Sequence, residues 1–148
     1  MTRSEAFHDR VAVWEALADF WVDTDLAPFE IDHIARVIAA SPYSIAEIKA
    51  IHDYEVAPAV WSNLLSPAGE WTGFDSEWLV ERCRSCAARR HSFRFRATMF
   101  LQLPFIRRLA ARYWEQVLPR VEALRKLNNA EMGTDRVPPE PGTAYHEG

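Results

Sequence analysis

The sequence predicts an all-α protein, a single compact bundle of five or six helices with a flexible C-terminal tail. Three observations predict it. Apolar residues recur at steps of three and four nearly throughout. Prolines and capping residues punctuate the chain at helix-length intervals. The one strand-like stretch, "SFRFRATMFLQL" at 92–103, would be a lone strand without a partner. At 148 residues one helical domain is expected, over residues 1–127. Residues 128–148 hold three prolines and three glycines. They offer too little apolar surface to offset their ordering entropy and read as a disordered tail.

The first helix is expected at about 5–23, with Phe7, Val11, Trp14, Ala18 and Trp21 on one face and Val13, Leu17 and Phe20 widening it. Pro28 suits the first turn of a second helix, where its missing N–H is harmless. Ile31, Ile34, Ala35 and Ile38 make that helix's inner face, and "SPY" at 41–43 stops it. Ser44 and Glu47 form a capping box for a third helix running to about Tyr54. A fourth starts near Pro58 with Val60, Trp61, Leu64 and Leu65. Asp75 is a suitable N-cap for a fifth, which carries Trp78, Leu79 and Cys83. Residues 92–103 read as an irregular or short helical connection. Pro104 then opens a long last helix with Ile106, Leu109, Ala110, Tyr113, Val117, Val121 and Leu124 inward, and Pro119 is expected to kink it.

The formal net charge of −4 conceals a division. Residues 1–82 carry 15 acidic and 5 basic side chains, residues 83–127 carry 2 and 11. The simpler reading is internal compensation, with the basic third packed beside the acidic part. The alternative is an exposed basic surface of Arg84, Arg89, Arg90, Arg94 and Arg96, continued by Arg107, Arg108 and Arg112, for nucleic acid or another anionic surface. Glu15, Asp19 and Asp23 repeat every four residues along the first helix, and Asp25 follows. Like charges so spaced repel, and the helix C-terminus disfavours acids, so a cation is expected nearby.

Catalytic signatures are sparse. "CRSC" at 83–86 supplies one cysteine pair where zinc needs about four ligands. It sits toward a helix C-terminus, whereas a redox pair uses a helix N-terminus to lower a thiol pKa. Cys83 and Cys86 are therefore expected to be structural. "EAFH" and "EIDH" are two Glu-x-x-His pairs of the type that di-iron bundles use, but His33 points away from the inner face of its helix. "HDYE" at 52–55 suggests an acid–base cluster. Adjacent helical residues do not face one another, and the stretch reads as a solvated helix end. No phosphate-cradling glycine loop or nucleophile elbow is present. The chain is expected not to be an enzyme and to need no cofactor or metal.

The residues "VWEALADFWVDTDL", "IARVIAASPYS" and "NLLSPAGEWTGFD" together resemble a bacterial family of short proteins characterised as a domain of unknown function. The resemblance covers roughly residues 11–82. Its most specific part is Asn63-Leu64-Leu65-Ser66, Ala68-Gly69-Glu70-Trp71 and Gly73-Phe74-Asp75. It implies a small intracellular bacterial protein and brings no activity or catalytic residue. Within that stretch Gly69 and Gly73 permit unusual backbone angles. Trp71 and Phe74 are expected to anchor the turn, and Glu70 has no structural role in sight.

The expected function is a small non-catalytic protein-interaction module, of an inhibitor or immunity type, whose partner is another protein with a basic surface. Glu15, Asp19, Asp23, Asp25, Glu70 and Trp71 are the candidate contacts. The alternative is a regulator binding nucleic acid or an anionic surface through residues 84–112. The chain has no run of about eighteen apolar residues that would span a membrane and no apolar leader near Met1. The expected location is cytoplasmic.

Overall fold

The computed structural model describes residues 2–21, 25–64 and 76–134. Among them the order is α1 (Arg3–Ala18) with a 3₁₀ turn (Asp19–Trp21), α2 (Pro28–Ala40), α3 (Ile45–Ile51), a π-helical turn (His52–Val56), α4 (Ala57–Leu64), α5 (Ser76–Arg89) and α6 (Phe93–Thr134). No strand occurs among the described residues. The all-α class is as expected.

Local chemistry explains most boundaries. Thr2 caps α1 by accepting from the Glu5 N–H, and Glu5 returns the bond to the Thr2 N–H at 2.8 Å. The Thr2 N–H and, after it, the Thr2 hydroxyl, which donates to the same carboxylate oxygen at 3.1 Å, hold the Glu5 carboxyl below its ordinary range. Ser44 and Glu47 make the expected box on α3. Pro28 stands at the start of α2, where Glu30 accepts from the Ala27 N–H at 2.7 Å. Ile31, Ile34, Ala35 and Ile38 are all buried, as their spacing requires. The far end of α2 is closed by a distant residue. The Arg125 Nη2 donates to the carbonyls of Ile38 at 2.9 Å and Tyr43 at 2.6 Å, where a helix terminus favours a cation.

Four expectations need correction. Residues 92–103 are no irregular connection: they form the start of α6, a continuous helix of 42 residues that passes through both Pro104 and Pro119. The same helix carries residues 128–134, so the tail does not begin at 128. Leu109, expected inward, is exposed. The third and fourth helices are not separate but run on through the π turn, in which the Ala57 N–H reaches back to the His52 carbonyl. Pro58 has no N–H, and in a regular helix its ring would crowd the carbonyl of Tyr54. The wider turn just before it relieves that conflict.

The core gathers where α1, α2, α5 and the C-terminal half of α6 enclose the π turn. The longest packed interface joins α2 to α6. A second, smaller cluster of Ala57, Met99 and Ile106 holds down the N-terminal half of α6.

Candidate functional site

The stretch "HDYE" is the buried polar centre of the protein, not a solvated end. His52 and Glu55 are wholly inaccessible and Asp53 nearly so. The π turn and the helices packed around it on several sides place consecutive polar residues inside.

Glu55 is fully engaged. Its Oε1 accepts from Arg10 Nε at 2.9 Å and from the Trp14 indole N–H at 3.0 Å. Its Oε2 accepts from Arg10 Nη2 at 2.6 Å and Arg90 Nη1 at 2.9 Å. A carboxylate has about four acceptor positions, and all are filled. Burial works against the Arg10 charge, but the bonds and field of Glu55, with Tyr43 assisting, outweigh it and hold the guanidinium pKa above its ordinary value.

His52 and Asp53 form a second chain. The Trp21 indole nitrogen lies 3.2 Å from His52 Nε2, and His52 Nδ1 lies 2.9 Å from Asp53 Oδ1. An indole N–H can only donate, so Nε2 accepts and Nδ1 carries the proton given to Asp53. Asp53 Oδ2 accepts from Arg107 Nε at 3.1 Å. Trp21 stacks on the imidazole, and Phe20 and Trp114 pack against it. His52 Nε2 and both oxygens of Asp53 thus each hold one hydrogen bond.

The two thiols are buried and free. Burial pushes both pKa values up, Cys83 strongly; for Cys86 the arginines 89 and 82 oppose the effect in part. Of the Glu-x-x-His pairs, Glu5 and Glu30 serve helix caps while His8 and His33 are exposed. Among the described residues no group of three or more His, Cys, Asp or Glu could hold a metal.

Three of the candidate contacts lie among the described residues. Glu15 accepts from the Ser76 hydroxyl at 2.5 Å, Asp19 is partly buried and Asp25 exposed. Asp23, Glu70 and Trp71, with the whole 65–75 stretch, lie outside the described residues. The basic set divides. Arg90 goes inward to Glu55. Arg84 sits over the Phe7 ring at 5.5 Å, and Arg89 bonds back to the Ser85 carbonyl at 3.4 Å. Arg94 and Arg96 are exposed on α6. Charge compensation is therefore partly internal, through Arg10 and Arg90 on Glu55, Arg107 on Asp53 and Arg120 on Asp32. None of these pairs uses the acidic row of α1.

One surface feature is new. On the first half of α6, Phe93, Phe100, Leu101 and Phe105 are 86%, 77%, 81% and 54% exposed. Met99 and Ile106 on the other side of the helix are buried. The outer face also carries Ala97 and Pro104, with Arg94, Arg108 and Arg112 interleaved. No acidic residue occurs between Phe93 and Trp114. The alternation of Phe93 and Phe95 with Arg94 and Arg96 does not reveal this face, because Phe95 is half-buried while Phe93 is open.

Residues 8–120 match a family model described as Domain of unknown function (DUF7079). The chain belongs to this family. No curated protein matches the sequence, and no solved structure matches the fold.

Proposed function

We propose that this family member is a non-catalytic protein-interaction module, and that it docks an acidic partner protein through the aromatic–arginine face of α6. The observation that carries the reading is the row Phe93, Phe100, Leu101 and Phe105, exposed together on one side of a helix whose other side is packed. Soluble chains rarely leave contiguous large apolar side chains open without a partner. Phe and Arg are the residue types enriched at interface centres. Absence of catalysis is supported by the four bonds that fill the buried Glu55 carboxylate and by the raised pKa of both buried thiols.

The arginines of this face point to an acidic rim on the partner. A basic partner bound by Glu15, Asp19 and Asp25 is less well supported, because Glu15 already accepts from Ser76 and the apolar area lies elsewhere. Broad adsorption to nucleic acid or lipid is disfavoured by the net charge of −4.

The test compares wild type with Phe100→Glu/Leu101→Glu. The expected result is a captured protein that, once purified, binds wild type in a salt-sensitive way and does not bind the double variant. Equal binding of both chains, or binding of wild type to anionic vesicles or single-stranded DNA in its place, would overturn the reading.

A further inference from the structure

A groove between α3 and α6 lies beside the buried centre, further along α6 than the outer aromatic face. It encloses about 770 Å³, which is within the range of small-molecule sites. Its space has a simple origin. Ala46 and Ala50, one turn apart on α3, and Ala111 on α6 line it with side chains too short to fill it.

The polar groups around this space are mostly donors. Arg107 lines it with a side chain 61% exposed. Its Nε is bound to Asp53, and its two terminal nitrogens bond to no described residue. Lys49 and the Tyr54 hydroxyl, also at the wall, make no hydrogen bond among the described residues. Trp114 is only 8% exposed, and its indole N–H bonds to no described protein group. No buried side-chain nitrogen or oxygen among the described residues lacks a partner. The Trp114 N–H is therefore reached by solvent, and the groove is the opening that Trp114 lines. Asp53 already holds His52 on one oxygen and the Arg107 Nε on the other. Glu115 is the one carboxylate at the wall with no bond among the described residues.

We propose that this groove binds a small amphipathic carboxylate, its anionic head on Arg107 and its apolar body over Trp114. The chain Trp21–His52–Asp53 then acts as a positioning relay. It fixes Arg107 through Nε and leaves the terminal nitrogens, the edge that takes a carboxylate in a two-point bond, directed to the ligand. An apolar body fits the alanine walls, and Lys49 adds a second positive charge at the mouth. The Trp114 indole N–H, reached by solvent and bonded to no described residue, supplies a further donor for a ligand oxygen.

Calorimetry with 1-naphthoate and decanoate tests this, with 1-naphthamide and decanol as neutral counterparts. At least one carboxylate is expected to bind saturably, one per chain, and to raise the melting temperature. Its neutral counterpart is expected to bind about tenfold more weakly or worse, because a charge-assisted bond is lost. Ala111→Leu, a substitution at an exposed position, is expected to fold normally and to abolish binding by filling the groove. Arg107→Gln is expected to weaken the carboxylate about tenfold while leaving the neutral compound unaffected. Failure of both carboxylates to saturate at millimolar concentration would overturn the proposal. So would undiminished binding by Ala111→Leu, or equal binding of acid and amide.

Discussion

Arg10 and Glu55 stand 45 residues apart in the chain and meet through two parallel bonds, Nε to Oε1 at 2.9 Å and Nη2 to Oε2 at 2.6 Å. With Arg90 on the other side, one wholly buried carboxylate ties α1, the π turn and the turn after α5 together. The Arg10 guanidinium also lies over the Tyr43 ring at 5.2 Å, and Arg90 over Tyr54 at 5.3 Å. Each cation is thus held by a charge and a ring.

Glu55→Gln keeps the shape and removes the charge, leaving two guanidiniums facing each other without their counter-ion. Breaking a buried pair in this way costs about 3–5 kcal/mol. The lower end is expected, since both arginine side chains are 28% exposed and retain some hydration. Denaturant titration measures it; a loss below about 1 kcal/mol would show that the pairing is nearly neutral.

The His52 tautomer is fixed by its neighbours. With Trp21 donating to Nε2, the ring proton belongs on Nδ1, shared with Asp53. A proton on Nε2 would set two donors against each other. Nitrogen-15 NMR at neutral pH is expected to show the Nδ1–H form in the native protein. Trp21→Phe should release Nε2 to the other tautomer. An Nε2–H ring in wild type would mean that the Trp21 contact is not a hydrogen bond.

How much of this was legible in the sequence depends on which signal a residue gave. The α2 face of Ile31, Ile34, Ala35 and Ile38 follows from period alone, and the Ser44–Glu47 box from residue type and spacing. His52, Asp53 and Glu55 read as solvated under regular helical geometry, because adjacent polar residues in a short helix near a proline point to several sides. A signal was present: they interrupt the otherwise apolar run Ile51 to Trp61, and acids inside such a run require cations. The arginine excess of the last third supplied those cations. Their pairing joins residues up to 54 positions apart, and local pattern carries no information at that range. The first half of α6 is obscure in the sequence for a different reason. Both of its sides are apolar, so neither helical nor strand period dominates; the packed side is Met99 and Ile106, the open side Phe100 and Leu101.

Neighbouring positions on α6 should therefore respond in opposite ways. Met99 is buried in the small cluster with Ala57 and Ile106. Met99→Ala is expected to cost about 2–5 kcal/mol, as for other large-to-small core changes. Phe100→Ser and Leu101→Ser touch exposed side chains, and each should change stability by less than about 0.5 kcal/mol. Equal losses at Met99 and Phe100 would mean that the outer face is packed in solution and is not available for docking.

The cysteines make a pH prediction. Burial raises the Cys83 thiol well above its ordinary pKa of 9.0. An unfolded chain ionises this thiol as pH passes that ordinary value, while the folded chain keeps it protonated. The unfolded state therefore binds fewer protons there, and stability falls as pH rises above about 9. One such group gives a slope of at most about 1.4 kcal/mol per pH unit. Cys83→Ala should be less stable at neutral pH, from the small cavity it leaves, yet lose less on going to pH 10. Both thiols should resist an aromatic disulfide reagent in the native state and react on unfolding. Fast native-state reaction of Cys83 would contradict its burial.

Arg125 offers the sharpest test of how the long helix is anchored. Its Nη2 donates to carbonyls on either side of the α2–α3 turn, those of Ile38 and Tyr43, with Ser41 at 3.5 Å as a marginal third. The Ile38 carbonyl also accepts from the Ser41 N–H and hydroxyl, whereas the Ser41 and Tyr43 carbonyls lie beyond the end of α2. Hydrogen bonds from a charged donor are each worth about 1.5–3 kcal/mol, and partial exposure of the side chain reduces that. Arg125→Met keeps much of the stem's packing and removes the donors; a loss of about 1–2 kcal/mol is expected. Arg125→Lys retains the charge but offers a single ammonium in place of a flat fork, and it should recover only part of the loss. The change should be local: amide exchange is expected to accelerate at 38–44 and not in α5. Uniform acceleration over the whole chain would show that Arg125 serves global packing, and full recovery by lysine would show that charge at the end of α2, not geometry, is what the turn requires.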